Sequence, residues 1–508
     1  MTQSQLTRRL FLIGLTAKAE RRIAGQFVND AFPLGHRIRD HANFAAPKQS
    51  RKIPLVIVGG GCAGLSAAWR LHKKNFRDFV LLEMESQAGG NARWGENEVS
   101  RYPWAAHYLP VPNKESALVR ELCEELGLLE DGKWNERYLC FSAQERLFMR
   151  HRWQDGLEPE VGATTRDRDQ YKRFSERMRD FRSTGQFTKP TDIGARPSPL
   201  DAMSFEDWMK QERFDSDLLQ WYVNYSTRDD YGALARDTSA WAGVHEFASR
   251  EPEEKGPLTW PEGNGWIVAK LLERLKQHVQ PNSPVYAIRK MGKGWRVLTE
   301  STEYETQAVI FAAPSFTAQH IIEGAPAATG FVYSPWLTAN ITLDRWPRGE
   351  GYAWDNVLYD SPSLGYVVAT HQSLATHQQR TVWTYYWALA DQSPQTWRKA
   401  LLDRDWGFWK EAILNDLERA HPDIRSCVSR IDIMRLGHAM ARPVPGFLGS
   451  ATRKRFLQGE SNLFYANSDL SGLSIFEEAQ YRGVIAADRA LVRLSAPSSP
   501  PLSKPHRD

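Results

Sequence analysis

One stretch, "VIVGGGCAGLSAAWRL" from Val56, constrains the fold more than any other. Leu55, Val56, Ile57 and Val58 form a short unbroken apolar run, the pattern of a strand buried on both faces of a parallel sheet. A helix-forming segment follows, from Ala63 to His72. Between them Gly59, Gly61 and Gly64 occupy the three positions of G-x-G-x-x-G: the first makes the tight turn, the second admits a pyrophosphate against the backbone, and the third lets helix and strand pack closely. The loop residues Cys62 and Ala63 then open a helix whose free N–H groups face the phosphates. The next apolar run, "FRDFVLLE", ends at Glu83, placed to accept the ribose hydroxyls of an adenosine. A carboxylate there repels a 2′-phosphate, which disfavours NADP.

The rest of the chain sets outer limits. Its 508 residues exceed one hydrophobic core and imply two or three units. A net charge of +4 gives no electrostatic reason to expect a nucleic acid partner. Cys62, Cys123, Cys140 and Cys427 form no C-x-x-C pair, so no metal site is expected, and Cys62 reads as a small packing residue. No segment has the roughly twenty apolar residues of a membrane span. Residues 1–51 precede the fingerprint. "TRRLFLIGLTA", with Arg8 and Arg9, reads either as a degenerate twin-arginine export signal or as the start of an arm lying on the domain surface, implying a periplasmic or a cytoplasmic protein respectively. Residues 495–508 are rich in Pro and Ser and read as a flexible tail.

Just past Glu83, "EMESQAGGNARW" places a glycine doublet, Gly89 and Gly90. Here the chain resembles the flavin-containing amine oxidase superfamily, which includes monoamine and polyamine oxidases, carotenoid desaturases and protoporphyrinogen oxidases. The resemblance implies FAD as cofactor, with the doublet running close to the pyrophosphate and flavin. Further segments extend it. In "SPVYAIRKMGKGWRVLT" the backbone of Val285 would meet the adenine; "QAVIFAAPS" leads into an Ala-Pro turn; and "NLFYANSDLSGLSIFEEAQYRGVIAADRAL" resembles the closing FAD motif, with Asp469 at its acidic position and Ile475 at the head of its helix. Asn91 stands where many members have arginine, so Arg93 is the candidate phosphate contact.

The implied fold class is α/β, an FAD-binding Rossmann-like domain of the GR2 type interleaved with an α+β substrate domain. The FAD-binding segments are 52–148, 256–330 and 440–494; the substrate-binding segments are 149–255 and 331–439. The resemblance places Trp104 and His107 near the flavin ring; Tyr385 and His438 are further candidates to line the pocket, and His107, His371 and Asn340 are the candidate catalytic residues. Asn340 falls near a position where many amine oxidases carry a lysine. The cluster Arg228, Asp229, Asp230, Tyr231 reads as an internal ion-pair network. No second G-x-G-x-x-G occurs, so electrons are expected to reach the flavin N5 as a hydride from a small organic substrate, an amine in the leading reading, and to leave to oxygen, a quinone or a partner protein. The alternatives are a desaturase, dehydrogenase or isomerase of a non-amine substrate, and a flavin-bearing partner protein without turnover.

Overall fold

A computed structural model describes residues 22–28, 31–191, 198–250, 256–349, 351–374 and 378–495. Arg8, Arg9 and residues 496–508 of the tail lie outside the described residues. The fingerprint strand Leu55–Val58 is buried at every position and is the middle of a five-stranded parallel sheet. Its order is Val279–Gln280, Phe79–Leu82, Leu55–Val58, Ala308–Phe311, Leu463–Tyr465. These strands come from widely separated parts of the chain because each βα crossover carries a long excursion. The helix Cys62–Lys73 covers one face together with the C-terminal helix Phe476–Ser495, and the two pack closely because Gly483 leaves room for the Ala63 backbone. A second, four-stranded sheet, Val285–Met291, Gly294–Thr299, Thr302–Thr306, Gln49–Lys52, completes the dinucleotide-binding domain.

The other domain is built on an eight-stranded mixed sheet, in the order Ala24–Phe27, Val428–Arg442, Val332–Leu343, Thr381–Ala388, Gly365–Val368, Asp355–Leu358, Glu145–Met149, Arg152–Asp155. Its first added strand begins at Glu145, a little before the boundary expected from sequence, and its long strand continues to Arg442. Helices Pro394–Asp403 and Trp406–Leu417 pack on one side over a core that includes Leu337, Trp383, Trp409 and Ile431. The helices Thr165–Ser183, Phe205–Gln211, Asp217–Tyr231 and Ala240–Ala248 form a separate aromatic-rich core.

The segment ahead of the fingerprint is woven into both domains. Ala24–Phe27 pairs in parallel with Arg430–Ile433, the helix Phe32–Arg39 follows, and Gln49–Lys52 pairs in parallel with Thr302–Glu305. Among the described residues, no helix is long and apolar enough to cross a membrane.

Candidate functional site

The glycine loop is shaped by what a side chain would strike. A Cβ on Gly64 would fall on the Gly59 carbonyl, so helix and strand meet at backbone distance. A Cβ on Gly61 would meet nothing nearer than the Gly90 Cα at 3.9 Å, so this position opens onto free space beside the doublet. Gly89 and Gly90 have φ of 135° and 56°, conformations that side chains disfavour. The doublet is laid against the loop by the Gly89 amide, which donates to the Gly60 carbonyl at 2.8 Å. The helix starting at Cys62 has no side-chain cap, leaving its N-terminal donors for an anion. Desolvation pushes the Cys62 thiol up to about 12, so the sulfur stays protonated.

Glu83 accepts from the Gly60 amide at 2.7 Å and from the Glu85 amide at 2.8 Å, which fixes the carboxylate and leaves one lone pair on each oxygen. Burial is the main influence on it and raises its pKa, opposed by those two amides. Arg93 pairs with Glu85 at 3.5 Å, and its Nε donates to the Gly90 carbonyl at 3.1 Å, so it stiffens the doublet loop. Val285 is buried beside this region. An uncapped helix, a passage kept open by three glycines and a fixed ribose-side carboxylate suit an adenine dinucleotide, and these residues fit FAD.

Asp469 is not free to serve a cofactor alone. Its carboxylate accepts from the Ser315 amide at 2.7 Å, the Ser315 hydroxyl at 2.8 Å and the Tyr333 hydroxyl at 2.6 Å, joining three chain segments. Desolvation raises its pKa against those donors. Ile475 packs into the aromatic helical core.

The sheet of the second domain presents an aromatic wall. His107 lies among Tyr386, Tyr108 and Trp354, at ring-centroid distances of 4.5, 4.9 and 5.5 Å. Desolvation lowers its pKa to about 4, so the ring is neutral at physiological pH. Trp104 packs edge-on to Tyr102 at 5.5 Å. The Asn340 amide donates to the Pro103 carbonyl at 3.0 Å and accepts from Thr384 at 2.7 Å, pinning the segment that carries His107 to the sheet.

Three of the expected site residues are placed otherwise. Tyr385 does not face this wall: its hydroxyl donates to Asp416 at 2.9 Å on the helix-covered face, and strand alternation presents its neighbour Tyr386 instead. His371 bonds the Phe141 carbonyl at 2.9 Å and holds that loop. His438 stacks on Phe316 at 4.3 Å. Of the expected ion-pair cluster, Arg228 donates to the Pro362 carbonyl at 3.1 Å, and Asp229 lies within electrostatic reach of Arg250 and Arg228 as well as of Glu145 and Asp355.

Sequence reasoning missed this acidic group because Glu145, Asp229 and Asp355 are far apart in the chain. Asp229 has no hydrogen-bond partner among the described residues, yet protein surrounds it while part of its surface stays accessible. Desolvation, opposed by Arg250, raises its pKa to about 6. Asp355 bonds Tyr225 and is raised further, first by desolvation and then by Glu145 and Asp229. Among the described residues, no group of three or more His, Cys, Asp or Glu side chains is arranged to hold a metal ion.

Comparison with known proteins agrees with this architecture. A family model described as an NAD(P)-binding Rossmann-like domain matches residues 57–126, which include most of the fingerprint, Glu83 and the doublet. A Baeyer-Villiger monooxygenase of Penicillium patulum is 30% identical over 112 residues, 21% of this chain and 17% of that protein, so the chain spans under a fifth of that relative. Structures of putrescine oxidase align over 87% of this chain and all of theirs, with a TM-score of 0.68 and 16% identity. Cyclohexylamine oxidase from Brevibacterium oxydans aligns over 88% of this chain and all of its own, with a TM-score of 0.65 and 13% identity. The chain thus has the fold of the flavin amine oxidase superfamily, with a Rossmann-like dinucleotide-binding domain at its centre.

Proposed function

We propose that the protein is an FAD-dependent oxidoreductase that oxidises a cationic amine. The observation that carries this reading is Asp229, which has no hydrogen-bond partner among the described residues and lies in electrostatic reach of Asp355 and Glu145, in the domain whose sheet supplies Tyr386 and Trp354 to the aromatic wall around His107. Desolvated carboxylates attract an ammonium group strongly, and aromatic faces add cation–π attraction. A bound FAD supplies the two-electron acceptor for the C–H bond next to nitrogen. Gly61, Gly90, Glu83 and the uncapped helix at Cys62 hold it. Asn340 fixes the His107 segment, and neutral His107 presents a ring face without competing positive charge. Asp229, titrating near 6, is suited to take the ammonium proton before oxidation, since a base works best with a pKa near the working pH. The imine product then hydrolyses in water.

Anaerobic titration of the purified protein tests the reading. Mono-, di- and polyamines should bleach the flavin absorbance, while neutral isosteres of the same length should not. Bleaching by neutral apolar compounds and not by amines would transfer the protein to the desaturase or isomerase class. No bleaching by either would support a flavin-bearing partner protein.

A further inference from the structure

We infer that residues 24–28 and 31–52 form a latch that ties the two domains together over the cofactor cleft, and that its release opens the cleft for cofactor exchange. One end is anchored in the second domain. Ala24–Phe27 forms an edge strand along Arg430–Ile433, and the Phe27 ring lies under the Arg435 guanidinium at 3.9 Å. Gly25 permits this approach: at φ 150° its Cα abuts the Ile431 carbonyl and the Trp406 ring, with no room for a side chain.

The other end is anchored in the dinucleotide domain. Gln49–Lys52 pairs with Thr302–Glu305, Phe44 stacks on Tyr286 at 4.5 Å, and Arg37 pairs with Glu300 at 3.7 Å. Only Ile53 and Pro54 separate this strand from the fingerprint strand.

The middle links to the dinucleotide loop. The Ala31 amide donates to Glu85 at 3.3 Å, and Glu85 pairs with the Arg93 that holds the Gly90 carbonyl. Helix Phe32–Arg39 packs against helix Ser315–Ile321, which begins at Asp469's partner Ser315. His36 and Arg39 are also within electrostatic reach of His438, the residue stacked on Phe316. The latch therefore touches both domains and reaches the doublet loop through Glu85 and Arg93. Its two terminal strands are exposed or half-buried, and such thinly packed segments open at lower free energy than the cores they connect.

The inference rests on the FAD reading for its consequence but not for its geometry. The test is Gly25→Leu with Phe27→Ala in the full-length holoprotein, read by hydrogen exchange and by the rate of FAD release into excess apo-acceptor protein. Exchange should rise over residues 24–39 and also at Gly89–Ala92. FAD release should accelerate on the order of tenfold, the effect of losing one cation–π anchor and its packing. Faster exchange at 24–39 with unchanged exchange at Gly89–Ala92, or with FAD release at the parental rate, overturns the latch. If the double variant does not fold, Phe44→Ala loosens the opposite anchor and is judged by the same two readouts. If the parent carries no FAD, the cofactor reading fails, while exchange at the doublet loop still decides whether the latch controls the cleft.

Discussion

The substitution Asp229→Asn should make the substrate-free protein more stable, and only above mildly acidic pH. The carboxyl titrates at about 6 instead of 3.8, mainly through desolvation, so its charged form is disfavoured by about 3 kcal/mol in the folded state. Part of the residue remains exposed, which reduces the usable figure to about 1–2 kcal/mol. The folded state binds the proton more tightly than the unfolded state. Its stabilising contribution is therefore complete below pH 3.8 and is lost as pH rises through about 6. A neutral amide at this position carries no such dependence. Urea denaturation at pH 4 and pH 8 should show the variant near parental stability at the first and about 1–2 kcal/mol above it at the second, with the affinity for cationic ligands reduced. A variant less stable than the parent at pH 8, or equally shifted at both pH values, would refute the open, unpartnered placement of this carboxylate.

Glu83→Ala removes the acceptor of two backbone amides and should reduce FAD retention about 10- to 100-fold, measured as flavin absorbance per protein after gel filtration. Tyr385→Phe should cost about 1 kcal/mol of stability through the lost bond to Asp416 and leave kcat/KM unchanged. Tyr386→Ala, which removes the ring at 4.5 Å from His107, should raise KM for amines; equal kinetic effects of the two would contradict the assigned faces. Asn340 supplies no positive charge beside the His107 segment, so stopped-flow mixing of the reduced protein with oxygen should give slow reoxidation and a preference for quinone-like acceptors; rapid reoxidation refutes this.

The dinucleotide cradle was legible because its logic is local. A buried strand, three spaced glycines, a carboxylate and a doublet lie close together in the chain, and each is demanded by backbone geometry. The pocket was harder to read. Tyr385 and Tyr386 are adjacent and chemically alike, and only the pairing of Thr381–Ala388 with its neighbours decides which face each takes. The cluster around Asp229 read as an internal ion-pair network, and its acidic neighbours Glu145 and Asp355 come from distant parts of the chain, which no local pattern reveals. Asp469 sits at the expected acidic position, yet its bonds to Ser315 and Tyr333 reach across distant parts of the chain, a separation that carries no sequence period. The latch was readable only as an arm, since exposed strands held mainly by backbone ladders leave a weak side-chain pattern.

The order of strands in the parallel sheet has a consequence during synthesis. Ala308–Phe311 is flanked by Leu55–Val58 and by Leu463–Tyr465, so the sheet gains its last strand only when nearly the whole chain has emerged. At the usual 5–20 residues per second, the roughly 150 residues between Phe311 and Leu463 take about 8–30 s to translate. Through that interval the apolar edge of Ala308–Phe311 has no permanent cover. Newborn chains should therefore depend on chaperone holding, and a premature stop before Leu463 should yield aggregates rather than a smaller folded protein.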